Sequence, residues 1–147
     1  LFERPTMPSS TQVSADVRPA SPPDAEQLPA DVLSQHCPSR MVLRHLTDRW
    51  TPLIVAVLAD GEPVRFKDIK TRVEGISPKV LTETLRSMER DGLVERLVTA
   101  SVPPRVDYKL TPLGATTVEP LTAVRIWAET HLAEVQANRQ RYDSTRL

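Results

Sequence analysis

A single cysteine in 147 residues rules out an intrachain disulfide framework and fits a reducing compartment. Aromatic side chains are also scarce, at 4% of the chain, so a core has to be assembled from Leu, Val, Ile and Ala. The longest unbroken apolar run, Leu53 to Ala59, falls far short of the roughly 20 residues needed to cross a bilayer. The first residues lack the basic-then-apolar layout of a secretory signal. A cytoplasmic protein with no membrane partner is the expectation. An excess of one charge sign is missing too, because 19 basic side chains balance 19 acidic ones. The balance is uneven along the chain: two basic and five acidic groups lie in residues 1–35, seventeen and fourteen in residues 36–147. The small positive surplus of the second part does not by itself identify a nucleic-acid binder.

Catalytic constellations are absent as well. Four glycines leave no phosphate-cradling loop, and there is no nucleophile elbow and no evident carboxylate pair. His36, Cys37 and His45 lack the spacing of a zinc site, and no second cysteine is available. Asp48 and Glu62 read as helix-end and loop charges. Neither an enzyme, a metal site nor a cofactor is expected.

What is present is punctuation. Six of the fourteen prolines fall in residues 1–29, a stretch without hydrophobic periodicity. Residues 1–35 therefore read as a disordered leader, and residues 36–147 as one folded domain. Within that domain, Cys37-Pro38, Thr51-Pro52, Ser77-Pro78 and Thr111-Pro112 each look like a small capping residue followed by proline at the first helical position. Gly61, Gly75 and Gly92 stand where helices stop or turn. The pattern predicts helices over 38–47, 52–59, 66–73 and 78–91. Alternating strands follow over 93–99 and 105–110, joined by a loop containing Pro103-Pro104. A long helix over 112–138, bent at Pro120, closes the chain.

Helix, short glycine-containing turn and helix make a helix-turn-helix, and the hairpin that follows makes it a winged one. The fold class is thus mainly α with a small β-hairpin wing. Placed at about 100° per residue, Leu81, Thr84, Leu85 and Met88 share one face of helix 78–91, and Lys79, Thr82, Glu83, Arg86 and Arg90 share the other. The polar face suits DNA. Lys79 and Arg86 can reach phosphates or a guanine edge, Thr82 a base or a thymine methyl, and Glu83 a cytosine amino group. Ser77 at the helix start is placed to bind a phosphate beside the free amides. Arg105, next to the stiff Pro-Pro loop, can enter a minor groove or clamp a phosphate.

The stretch from Cys37 to about Trp127 resembles the HxlR-type winged helix-turn-helix regulators of bacteria. The resemblance rests on "CP" at 37–38, "RWTPLIVAVL" at 49–58, "RFKDI" at 65–69, "GISPKVLTETLRSMERDGLV" at 75–94 and "VPPRVDYKLTPLG" at 102–114. It implies a homodimer joined through the first and last helices, bound to a palindromic operator in double-stranded DNA. It also implies that Ser77, Lys79, Thr82, Glu83 and Arg86 face the operator, with Arg105 on the wing. Asp48-Arg49 replaces the family's frequent Gly-Lys before the tryptophan, and Glu83 and Thr84 stand where Gln is common. The second departure bears on which operator is read.

Two features go beyond DNA. Val118, Leu121, Val124, Ile126, Trp127 and Leu132 give the last helix more apolar surface than a small core needs; a second copy or the helix at 52–59 would cover it. Cys37, at a helix start with Arg40 one turn in, is a candidate redox sensor for oxidants or small electrophiles, or else a small residue packed at the dimer seam. Alternatives to an electrophile-sensing regulator are a winged-helix regulator controlled by a non-covalent small-molecule ligand and a winged-helix protein-interaction module.

Overall fold

The computed structural model describes residues 30–146, so residues 1–29, most of the expected leader, lie outside the described residues. The elements are α1 (Ser39–Leu46), α2 (Thr51–Leu58), β1 (Val64–Arg65), α3 (Phe66–Arg72), α4 (Pro78–Arg90), β2 (Val94–Thr99), β3 (Arg105–Leu110), α5 (Pro112–Ala115) and α6 (Val118–Thr145). The fold is mainly α with a small antiparallel sheet that carries the wing, as the sequence pattern predicts. Among the described residues no helix is long and apolar enough to cross a membrane.

The helix α2 is apolar almost all round and runs through the middle of the domain, burying Thr51, Ile54, Val55, Val57 and Leu58. Its core extends through Ile69 of α3, through Leu81, Leu85 and Met88 of α4, and through Val94, Tyr108 and Leu110 of the sheet. The side chains buried on α4 are Leu81, Thr84, Leu85 and Met88, the four that the 3.6-residue period groups together.

Strand β3 lies between β1 and β2 and is antiparallel to both. All six residues of β2 pair with β3, from Val94 opposite Leu110 to Thr99 opposite Arg105. The two residues of β1 pair Val64 with Tyr108 and Arg65 with Asp107. A two-residue strand is too short to show alternation, so the sequence pattern does not reveal it. Beside it Asp107, on the face of β3 turned away from Tyr108 and Leu110, is buried.

Two of the four expected proline caps form. Ser77 Oγ accepts from the Val80 amide at 3.1 Å, and Thr111 Oγ1 accepts from the Gly114 amide at 3.0 Å. Thr51 is already helical, and the start of α2 is capped instead by Asp48, whose carboxylate accepts from the Trp50 and Thr51 amides at 2.9 and 2.7 Å. Cys37 precedes the cap of α1, which is Pro38 and offers no side-chain bond. The C-terminus of α4 closes as a Schellman motif: Leu93 N–H donates to Met88 O at 2.9 Å and Gly92 N–H to Glu89 O at 3.0 Å. Gly92 takes φ of 75°, which a side chain would strain.

The single helix expected over 112–138 is two helices. Thr116 and Thr117 turn their hydroxyls back onto the carbonyls of Leu113 and Gly114, offering the backbone an alternative to the helical ladder. Pro120 does not bend α6, because it falls within the first turn, where amide hydrogens have no helical acceptor in any case. The chain then runs unbroken for 28 residues, to Thr145.

The short α5 presses directly on the hairpin. Thr111 N–H donates to Leu93 O at 3.0 Å, and a Cβ on Gly114 would lie 1.9 Å from that same carbonyl oxygen. Backbone cannot yield as a flexible side chain can. Gly114→Ala should therefore destabilise the fold by about 3 kcal/mol, the upper part of the range for overpacking. Urea unfolding measures it, and an unchanged midpoint would mean that α5 does not approach β2 this closely in solution.

Candidate nucleic-acid interface

With Leu81, Leu85 and Met88 held in the core, the opposite side of α4 is turned to solvent. Ser77 occupies the N-cap, where its hydroxyl accepts from Val80 and keeps its own hydrogen for another partner. Lys79 and Glu83 stand one turn apart at 4.0 Å, both well exposed, a pairing of little energetic weight. Thr82 Oγ1 donates to Pro78 O at 2.8 Å, which leaves its lone pairs and methyl outward. Arg86 is exposed one turn further on.

Beside this face lies a groove of about 860 Å³ between α4, the start of α3 and the wing. Thr82, Arg86 and Arg105, three of the expected site residues, line it. Ser77, Lys79 and Glu83 are not in its lining but on the leading, N-terminal part of α4. The groove also takes in Arg65, Lys67 and Arg96, which the sequence reading missed. Arg65 and Lys67 sit in the "RFKDI" stretch, whose charges gave no hint of direction until β1 and α3 were placed. Arg96 shares the inward face of the hairpin with Val94 and Val98, and the period-2 pattern cannot show that this end of the hairpin projects past the core. Five cationic side chains thus line the groove against one carboxylate, Glu89. The modest surplus of positive charge is gathered on one concave surface, the distribution that attracts a polyanion.

The wing is closed by Ser101 Oγ, which donates to Pro103 O at 2.7 Å. Arg105 is not at its tip but is the first residue of β3, opposite Thr99. Its Nε donates to both carboxylate oxygens of Asp107, at 3.1 and 3.0 Å.

Cys37 lies outside the groove lining and is half-buried. Its Sγ is 2.9 Å from Ser39 Oγ. Hydrogen bonds from the Ser39 side chain, and then from the Ser39 backbone, hold the thiol below its usual pKa by stabilising the thiolate. Arg40, expected to help, instead donates to the Val32 and Leu33 carbonyls at 3.2 and 2.9 Å and ties the turns of residues 32–36 to α1.

A helix-turn-helix whose second helix shows a polar face beside a basic wing defines the protein as a winged helix-turn-helix, built to bind DNA. The chain belongs to the HxlR-like helix-turn-helix family, whose profile matches residues 45–136. It is 41% identical over 109 residues to the HTH-type transcriptional regulator YtfH of Escherichia coli, covering 74% of this chain and 86% of that protein. The solved structure of the transcriptional regulator ytfH from Salmonella typhimurium superposes with a TM-score of 0.71 at 40% identity, covering 76% of this chain and 98% of the other. The oxidised form of the redox regulator HypR superposes with a TM-score of 0.58 at 32% identity, covering 64% and 96%. The protein is a DNA-binding transcriptional regulator.

The thiol geometry has a direct consequence. A lowered pKa means more thiolate, and faster alkylation, at a given pH below the usual thiol range. Removing the main cause with Ser39→Ala should move the pH midpoint of iodoacetamide alkylation upward. Coincident pH–rate profiles for the two proteins would remove Ser39 as the cause.

Proposed function

We propose that the protein is a homodimer, joined through α1 and α6, that binds a palindromic operator with one α4 in each of two successive major grooves. The observation that carries the dimer is the uncovered apolar surface of two helices. No residue of α1 is buried, and Met41, Val42 and Leu43 are about half exposed. On α6 only Leu121 is buried, while Val124, Ile126, Trp127, Leu132 and Tyr142 are all more than half exposed. Such a surface on a small chain marks an association site, and twofold pairing buries it on both copies at once.

In this reading Ser77 and Lys79 hold phosphates at the start of α4. Thr82, Glu83 and Arg86 meet base edges, and Arg105 contacts the backbone from the wing. Twofold symmetry places the half-sites about 34 Å apart, one helical turn. The thiol supports a second reading, in which Cys37 senses oxidants or electrophiles; its lowered pKa favours it, and so does the likeness to a protein described as a redox regulator. With one cysteine per chain a disulfide can form only between two chains, and only if their Cα atoms come within about 7 Å. Diamide should then produce a cross-linked dimer or a thiol adduct with altered operator affinity; an unmodified chain of unchanged affinity would dismiss sensing.

Arg86→Ala should weaken specific binding by about 1–3 kcal/mol and relax the preference at one base pair. Lys79→Ala should weaken all sequences alike and lower the slope of log affinity against log salt by about 0.9. Electrophoretic shifts over a salt series measure both. Unchanged operator affinity in Arg86→Ala would reject its role as a reader.

A further inference from the structure

Two arginines of the groove lining, Arg65 and Arg105, flank a buried carboxylate that lies behind the groove and not in its wall. Asp107 is the central residue of this arrangement. Arg65 stands directly across from it in the β1–β3 pairing, and Arg105 lies two residues before it on β3, so all three share one face of the sheet. Asp107 is itself buried and absent from the groove lining, whereas Arg65 and Arg105 both line the groove. The hydrogen bonds between Arg105 and Asp107 all come from Nε, and among the described residues the two terminal nitrogens of Arg105 have no hydrogen-bond partner. Arg105 remains about half exposed, its carboxylate partner about one-eighth.

We propose that Asp107 is a positioning residue that sets Arg105, with Arg65 beside it, as a rigid clamp for one backbone phosphate of DNA lying in the groove. The proposal rests on the reading of this surface as the DNA interface and assigns the wing arginine to phosphate rather than to the minor groove. Entering a minor groove needs a guanidinium free to extend from the loop tip. Arg105 is anchored in the first pair of the hairpin after the loop, with part of its charge already met by Asp107. A planar guanidinium held along its Nε edge presents its other edge in a fixed orientation, and that edge matches two oxygens of a phosphate. Fixing the side chain before binding also removes part of the rotamer entropy that a free arginine would lose.

The sign of one substitution separates this account from simple charge. Asp107 is a negative group close behind a DNA-binding surface, so on charge alone Asp107→Asn should tighten binding. If the carboxylate positions Arg105, Asp107→Asn weakens binding to every sequence alike. Arg105→Lys is the second variant, and it leaves Asp107 in place. A lysine keeps the charge but lacks the planar fork whose one edge rests on Asp107 while the other faces a phosphate. Affinities for operator and random duplex are measured across a salt series, with thermal melting as the control for folding. The expected result is that Arg105→Lys and Arg105→Gln both lower the log–log salt slope by about 0.9, the loss of one phosphate contact, with the ratio of specific to random binding unchanged. A wild-type slope in Arg105→Lys, or tighter binding by a folded Asp107→Asn, overturns the clamp while leaving the DNA interface standing. If Asp107→Asn does not fold, the two Arg105 variants decide alone. A wild-type protein with no salt-dependent DNA affinity overturns the interface reading and the clamp with it.

Discussion

The withdrawal of Leu81, Leu85 and Met88 into the cluster formed by Ile54, Leu58 and Ile69 is the constraint on which the rest of the structure depends. Each such side chain contributes about 1.5–3 kcal/mol when taken out of water. Because successive residues of a helix are rotated by about 100°, that burial fixes the direction of the others. Lys79, Thr82, Glu83 and Arg86 face outward as a consequence of what Leu81 and Leu85 do. A rotation of α4 by one residue would push Thr82 and Arg86 into an apolar core with no partners, at a cost far above the worth of any contact it could gain. The Schellman closure at Gly92 then ends α4 abruptly and delivers the chain into β2, which sets the distance between helix and wing.

This logic explains which parts were legible in the sequence. Periodicity reports faces, so both sides of α4 could be read from residues 78–90 alone. Serine and threonine before proline report helix starts only where no better acceptor competes. At Ser77 and Thr111 none does, but at Thr51 the carboxylate of Asp48 takes the amides first. Thr116 and Thr117 divide a stretch that looks continuously helical, because their hydroxyls take the local carbonyls. Pro120, the apparent breaker, falls where a helix tolerates proline.

The wing side of the site was the part least legible. Arg65, Lys67 and Arg96 lie far apart in sequence and meet only through the pairing of β1 and β2 with β3. No local pattern reports a two-residue strand, and the burial of Asp107 follows from that strand and from Arg105. Arg105 is legible as the first residue of the second wing strand, but its tie to Asp107 is not. Its neighbour in sequence is a proline loop, but its partner in space is a buried carboxylate.

The two surfaces of the molecule have complementary requirements. The groove and α4 can select a short stretch of DNA, while the bare sides of α1 and α6 are suited to bring two such readers to a fixed separation. A thiol at the start of α1, held toward its thiolate by Ser39, stands at the edge of the second surface. The most direct test is selection of bound fragments from random DNA, followed by measurement of how many chains occupy the selected site. The account predicts an inverted repeat with half-site centres about 10 base pairs, or roughly 34 Å, apart, bound by two chains. A non-repeated site held by one chain, or no enrichment over random DNA, would contradict it.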